Sequence, residues 1–191
     1  MELQIAKRYP VTASLAQAWA VLGDLPAVAA CMPGAQLGDA LGEGRHRGLV
    51  KARVGPASLR FQGEIELLEC DATARRLRLR GKGKDAGSAA SLELTAWLEP
   101  ADAGCSLVGE AVVSVSGKLA QIGNRLLAPA SDALLAQFAQ NFAAAAAAVS
   151  APVSALAPPS ARPPASELKA FALLLQMLRA WWQGLLQRKD G

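Results

Sequence analysis

Residues 118–149 read KLAQIGNRLLAPASDALLAQFAQNFAAAAAAV, a stretch with a helical apolar stripe. Leu119, Ile122, Leu126 and Leu127 recur at helical spacing, and Leu134, Leu135, Phe138 and Phe142 continue the stripe. The spacing predicts one long helix. Pro129 falls in its middle and is expected to kink it, because proline removes a backbone donor and clashes one turn back. A helix with a single greasy face needs a surface to bury that face against.

That surface lies upstream, where the period is two from Leu37 to Ser116. Val50, Ala52 and Val54 alternate with Lys51 and Arg53, and Leu59, Phe61, Ile65 and Leu67 alternate with Arg60, Gln62, Glu64 and Glu66. Leu77 and Leu79 alternate with Arg76, Arg78 and Arg80; Leu92, Leu94, Ala96 and Leu98 follow, and Val113 and Val115 close the series. Gly55-Pro56, Asp71-Ala72, Gly87-Ser88 and Asp102-Ala103-Gly104 mark turns. The pattern is that of an antiparallel meander with one apolar face. Residues 3–9 have milder strand character. Ser14 caps a helix carrying Leu15, Trp19 and Leu22, and Asp24 caps a short second one that stops at Pro33-Gly34. The fold class is α+β: a curved antiparallel sheet wrapped around a long helix, with two small helices near the start.

The apolar face is lined by small residues at Ala52, Gly63, Gly81, Gly83, Ala96, Gly109 and Ala111. Close packing of the helix would absorb the missing volume; a strongly curved sheet would leave an apolar cavity, the reading preferred here. The expected lining is Trp19 and Met32 from the small helices, and Ala52, Val54, Phe61 and Ile65 from the first strands of the meander. Leu79, Leu94, Ala96 and Val113 continue it on the later strands, and Ile122, Leu126 and Phe138 close it from the long helix. Inward positions are almost all aliphatic, so no catalytic residue is expected.

Composition narrows the function classes. The chain has 191 residues, 52% of them hydrophobic and only 19% charged, enough for one domain and an appendage. No window of about 18 uncharged apolar residues exists, so no transmembrane helix is expected. MELQIAKRYPV lacks the basic start and apolar run of a secretory signal, so a cytoplasmic chain is expected. Cys31, Cys70 and Cys105 are far apart and odd in number, and His46 is the single histidine. A zinc knuckle, a disulfide framework and a metal site are all disfavoured. A basic run, Arg75, Arg76, Arg78, Arg80, Lys82 and Lys84, either faces an acidic or anionic partner or is the solvated face of a strand. No aromatic interleaves it, which argues against nucleic acid.

The last fifth has different physics. Five of the eleven prolines (Pro152, Pro158, Pro159, Pro163 and Pro164) fall in residues 150–165, a tether reaching about 50 Å if extended. Beyond it Leu168, Phe171, Leu174, Leu175, Leu178, Trp182, Leu185 and Leu186 form one wide apolar face opposite Lys169, Gln176, Arg179 and Gln183. Polar breaks argue against spanning a bilayer and the amphipathic pattern argues for lying in its interface. Phe171, Leu175, Leu178, Trp181, Trp182 and Leu185 are the expected lipid contacts, with Arg188 and Lys189 at headgroup level. Packing on its own domain or on a partner subunit is the alternative. The expected organisation is a domain over residues 1–148, a linker over 149–165 and an amphipathic helix over 166–189.

Several blocks in order then carry a resemblance. CMPGA at Cys31–Ala35, KARVGP at Lys51–Pro56, RFQGEIEL at Arg60–Leu67, GKGKDAGSA at Gly81–Ala89 and GKLAQIGNRLL at Gly117–Leu127 resemble the carbon monoxide dehydrogenase G-subunit (CoxG) family. That family belongs to the START-like (SRPBCC) helix-grip superfamily, whose members hold lipophilic ligands between sheet and helix. The resemblance implies an accessory of a molybdenum-containing CO dehydrogenase or related hydroxylase. It also implies docking of that enzyme at the membrane and passage of a respiratory quinone, with no covalent cofactor. Peripheral attachment to the inner face of the cell membrane is the matching localisation. Two other readings stay open: a pure membrane-recruitment adaptor that carries nothing, and a START-like cyclase or hydrolase, for which His46, outside the resembling blocks, is the one candidate base.

Overall fold

A computed structural model describes residues 1–55 and 57–149. The chain runs β1 (Glu2–Val11), α1 (Leu15–Leu22), α2 (Leu25–Cys31), β2 (Ala35–Gly42), β3 (Arg45–Val54), β4 (Ala57–Asp71), β5 (Arg76–Asp85), β6 (Ser88–Ala101), β7 (Gly104–Gly117), α3 (Lys118–Ile122) and α4 (Asn124–Ala148). The seven strands form one antiparallel sheet in the order β1-β7-β6-β5-β4-β3-β2. The meander is as the alternation requires. What alternation leaves open is where β1 goes: it pairs with β7, Ile5 opposite Ala111 and Lys7 opposite Gly109. The hairpin from β2 to β3 turns at Glu43-Gly44, both with positive φ (53° and 72°), a turn legible in Gly42-Glu43-Gly44 but not among those expected.

The inward phase of each strand follows the sequence. Leu77 and Leu79 are 0% and 3% exposed, whereas Arg78 and Arg80 between and beyond them face outward. Across the sheet, three glycines lie side by side: Gly48 on β3, Gly63 on β4 and Gly83 on β5. A Cβ on Gly63 would collide with the Lys82 carbonyl oxygen and sit 2.6 Å from the Gly83 Cα. Backbones therefore crowd together where Gly63 meets β5, whereas a Cβ on Gly48 would meet nothing within 4 Å.

α1 opens with a capping box. The Ser14 hydroxyl accepts from the Gln17 N–H at 3.3 Å and the Gln17 Oε1 accepts from the Ser14 N–H at 3.0 Å. The Gln17 amide also donates to the Val149 carbonyl at 2.7 Å, tying the start of α1 to the end of α4. Asn141 on α4 donates to the Cys31 carbonyl that ends α2, at 2.9 Å. Because one side chain serves two elements, Gln17→Ala should destabilise the fold by about 1–2 kcal/mol in urea titration. A loss no larger than that of an exposed Gln140→Ala control would disprove the tie. The alanine run makes the close approach possible: Ala18 and Ala146 are both fully buried, with Phe142 beside them.

The expected single helix is two. Gly117 ends β7, α3 follows, and Gly123 (φ 77°) breaks the chain before α4 begins at Asn124. Pro129 lies inside α4, which continues through it. The interruption falls at the glycine because a left-handed φ stops a helix outright, whereas a proline in the second turn removes a single backbone bond. The break also rephases the apolar stripe. Leu127 is 6% exposed, but Leu126, expected in the lining, is 47% exposed.

Candidate functional site

Two sealed apolar clusters hold the helices to the concave side of the sheet. One gathers Val11, Ala18, Leu22, Leu77, Leu98, Phe142 and Ala146 under α1, α2 and the second half of α4. The other is smaller: Val54, Val115, Leu119 and Leu127, under α3 and the start of α4. Between them the middle of the sheet faces the middle of α4. Ile5 and Ala111 on the sheet, and Leu134 and Leu135 on α4, are only half-buried and join neither cluster. Leu94 and Ile65, at the border of the first cluster, and Phe61 and Val113, at the border of the second, are half-buried too. An apolar strip thus runs across the strands between two closed ends.

The expected lining divides accordingly. Phe61, Ile65, Leu94, Val113, Ile122 and Phe138 are half-buried and lie along or beside the strip, as does Ala52 on β3. Trp19 and Met32 are half-buried, the former packed on the first cluster and the latter ending α2. Leu79 (3% exposed) and Ala96 (7%) are sealed inside the first cluster and Val54 (6%) inside the second. They are core positions. Leu126 leaves the lining for the reason given above; its Cδ1 lies 3.8 Å from where a Cβ on Gly55, at the turn between β3 and β4, would stand. The expected lipid contacts Phe171, Leu175, Leu178, Trp181, Trp182, Leu185, Arg188 and Lys189, and the linker before them, lie outside the described residues.

Sequence reasoning missed two polar groups on the concave side. The expectation of an aliphatic lining overlooked His46: counting back by twos from Val54 through Val50 reaches it, and it stands inward on β3 between Ala40 on β2 and Ile65 on β4. Its Nδ1 is buried without a hydrogen-bond partner. Lys7, in the inward phase of β1, forms an ion pair with Asp132 of α4 at 2.9 Å. The hydrogen bond to Asp132, and then the charge of that carboxylate, raise the Lys7 amine above its ordinary value. Burial pushes the Cys31 and Cys105 thiols up, away from the thiolate.

The outer face has a different character. Of the basic run on β5, Arg76 pairs with Glu69 at 2.6 Å, Arg80 with Glu93 at 3.0 Å and Lys82 with Glu64 at 3.4 Å, while Arg78 also reaches Glu69. Glutamates of the flanking strands pair with four of the six cations of the run, so of its two readings the solvated strand face is the one the contacts support. Two depressions of about 390 and 610 Å³ lie on this face of β2–β5, one lined by Arg45, Glu66 and Arg80, the other by Gln36, Arg47 and Gln62. The first is polar; the second also has Leu37, Leu41 and Leu49 in its lining and is mixed.

Carboxylates at the rim set the acid limit. Asp71 accepts from the Ala74 and Thr73 N–H groups, and Glu99 from Arg8 and the Trp97 indole. These bonds hold both carboxyls below the usual carboxylate range. Folding then favours the ionised forms, so their contribution is present above that range and is lost as pH falls through the lowered values. Thermal midpoints should fall below about pH 4, and Asp71→Asn should flatten that decline. An unchanged pH profile in the variant would contradict the assignment.

Comparison with known proteins adds two findings. The family described as CoxG, the G subunit of carbon monoxide dehydrogenase, matches residues 8–147. No curated protein is detectably similar in sequence. Among solved structures, a conserved protein from Geobacillus kaustophilus is similar at TM-score 0.65 and 18% identity, covering 77% of this chain and 95% of that one. The Zhui aromatase/cyclase from Streptomyces sp. R1128 is similar at TM-score 0.57 and 12% identity, covering 77% and 94%. A Thermus thermophilus protein is similar at TM-score 0.54 and 14% identity, covering 79% and 100%. At these identities the likeness is one of fold, the helix-grip architecture.

Proposed function

The chain belongs to the CoxG family of carbon monoxide dehydrogenase accessory proteins, and on that premise we propose that it is a non-catalytic carrier and recruiter for a molybdenum-containing CO dehydrogenase or related hydroxylase. Its body holds a lipophilic molecule, a respiratory quinone above all, and its C-terminal segment visits the inner face of the cell membrane. The observation that supports the carrier reading is the half-buried strip. Ile5 and Ala111, paired on β1 and β7, and Leu134 and Leu135 on α4 are half-buried and packed into neither core. Apolar side chains so placed gain roughly 25 cal/mol for each further Å² removed from water, before binding costs, and a greasy ligand supplies that cover. Recruitment rests on the sequence alone: the proline tether and the amphipathic face carrying Trp181 and Trp182.

Solvent extraction of the purified full chain, followed by mass spectrometry, tests the carrier reading directly. A quinone or other lipid should appear, or be taken up on addition, at up to one molecule per chain. A protein that arrives empty and takes up nothing overturns it and leaves a pure adaptor. Co-sedimentation with anionic phospholipid vesicles tests recruitment separately; deletion of residues 150–191 should abolish it.

A further inference from the structure

We infer that His46 is the polar anchor of the strip, fixing one oxygen of an amphipathic ligand and thereby its orientation. The inference rests on the carrier reading and specifies which end of the ligand lies where. His46 Nδ1 is the one buried side-chain nitrogen or oxygen left without a partner among the described residues. Buried polar atoms are satisfied in nearly all native structures, because leaving one dry costs free energy, and an exception at a binding surface points to a missing partner.

The surroundings say what that partner is. Following register across the concave face, His46 on β3 neighbours Ile65 on β4, then Gly81, Leu92, Val113 and Leu3 on β1. One imidazole, with only Ala40 of the edge strand β2 beyond it, thus stands near one end of a cross-strand row that is otherwise hydrocarbon or bare backbone. Five interstrand steps at about 4.8 Å make the row roughly 24 Å long. A ligand that matches has a single polar end and a long apolar remainder running toward β1. A neutral imidazole nitrogen donates when it carries the proton and accepts when it does not. His46 therefore suits a carbonyl oxygen or a hydroxyl at the same place, with the ring keeping its position.

The chain's single histidine makes the test direct. In a long-range ¹H–¹⁵N spectrum of the full chain, the imidazole signals can belong only to His46. Adding a decyl-substituted benzoquinone should shift the Nδ1 resonance by several ppm, whereas decylbenzene, with a six-membered carbon ring and the same tail but no oxygen, should leave it in place. In His46→Leu, benzoquinone affinity should fall about tenfold while decylbenzene binds as before, so the preference for the oxygenated probe disappears. Benzoquinone binding with an unmoved Nδ1, or undiminished in His46→Leu, overturns the anchor and leaves the carrier reading standing. A wild-type chain that binds neither probe overturns both. If His46→Leu fails to fold, the wild-type spectrum alone decides.

Discussion

Gly63→Val should cost the fold about 3–5 kcal/mol, the largest single-residue loss expected outside the sealed cores. The reason is backbone, not volume. A Cβ at Gly63 would overlap the Lys82 carbonyl oxygen and stand 2.6 Å from the Gly83 Cα, and neither is the movable end of a side chain. To admit even a methyl group, β4 and β5 must separate along a paired ladder that includes Gln62 with Lys84 and Glu64 with Lys82. The close approach of β4 and β5 at Gly63 and Gly83 would open, and with it the curvature of the sheet there. At about 2–4 °C per kcal/mol for a chain of this size, the melting midpoint should drop by roughly 10 °C or more. Gly63→Ala should already show a substantial part of the effect. A Gly63→Ala protein as stable as the wild type in urea would mean that the strands part freely, and that their close approach does not set the curvature.

Gly81→Phe carries the opposite expectation, although Gly81 is only two residues from Gly83 on the same inward phase of β5. There a Cβ meets the Leu92 Cβ at 3.8 Å and the Glu64 carbonyl oxygen at 3.9 Å, ordinary van der Waals contacts. The side chain has somewhere to go: into the strip between Ile65 and Leu92, its neighbours across the strands. Phenylalanine is also a better strand former than glycine, so stability should stay within about 1 kcal/mol of the wild type. Ligand uptake, by contrast, should fall by about a hundredfold or more, because the ring occupies the middle of the proposed path and a ligand would have to displace it. Vesicle co-sedimentation of the full chain should be unchanged. Retained quinone uptake in Gly81→Phe would place the ligand elsewhere. The comparison also corrects a choice that the sequence invites. Ala96, a small residue on the same face, lies inside the first cluster at 7% exposure, and a large side chain there would disturb the core as well as any ligand.

The two glycines show what kind of information was legible at each level. Both sit in phase with Leu77 and Leu79 or with Phe61 and Ile65, so period-two reading puts both inward. That one has no room for a Cβ and the other is an open place in the sheet's lining depends on how closely two backbones approach, which no local pattern encodes. His46 is accessible to the same parity count, but Arg45 and Arg47 beside it and Gly44 and Gly48 around them break the apolar alternation there. Its missing hydrogen-bond partner becomes visible only once Ala40 and Ile65 are placed beside it.

The elements and the sides they show follow from local causes along the chain: the period of apolar residues, the caps Ser14 and Asp24, and the turn residues between strands. Family membership is legible at the same level, through ordered blocks along residues 8–147. Long-range packing is what closes β1 onto β7, turns Leu127 inward and Leu126 outward after the local break at Gly123, and leaves Ile5 and Leu134 half-buried between two cores. Each of these depends on contacts between residues far apart in the chain. A side chain's burial is set by what arrives opposite it, and its own neighbours in sequence carry no record of that.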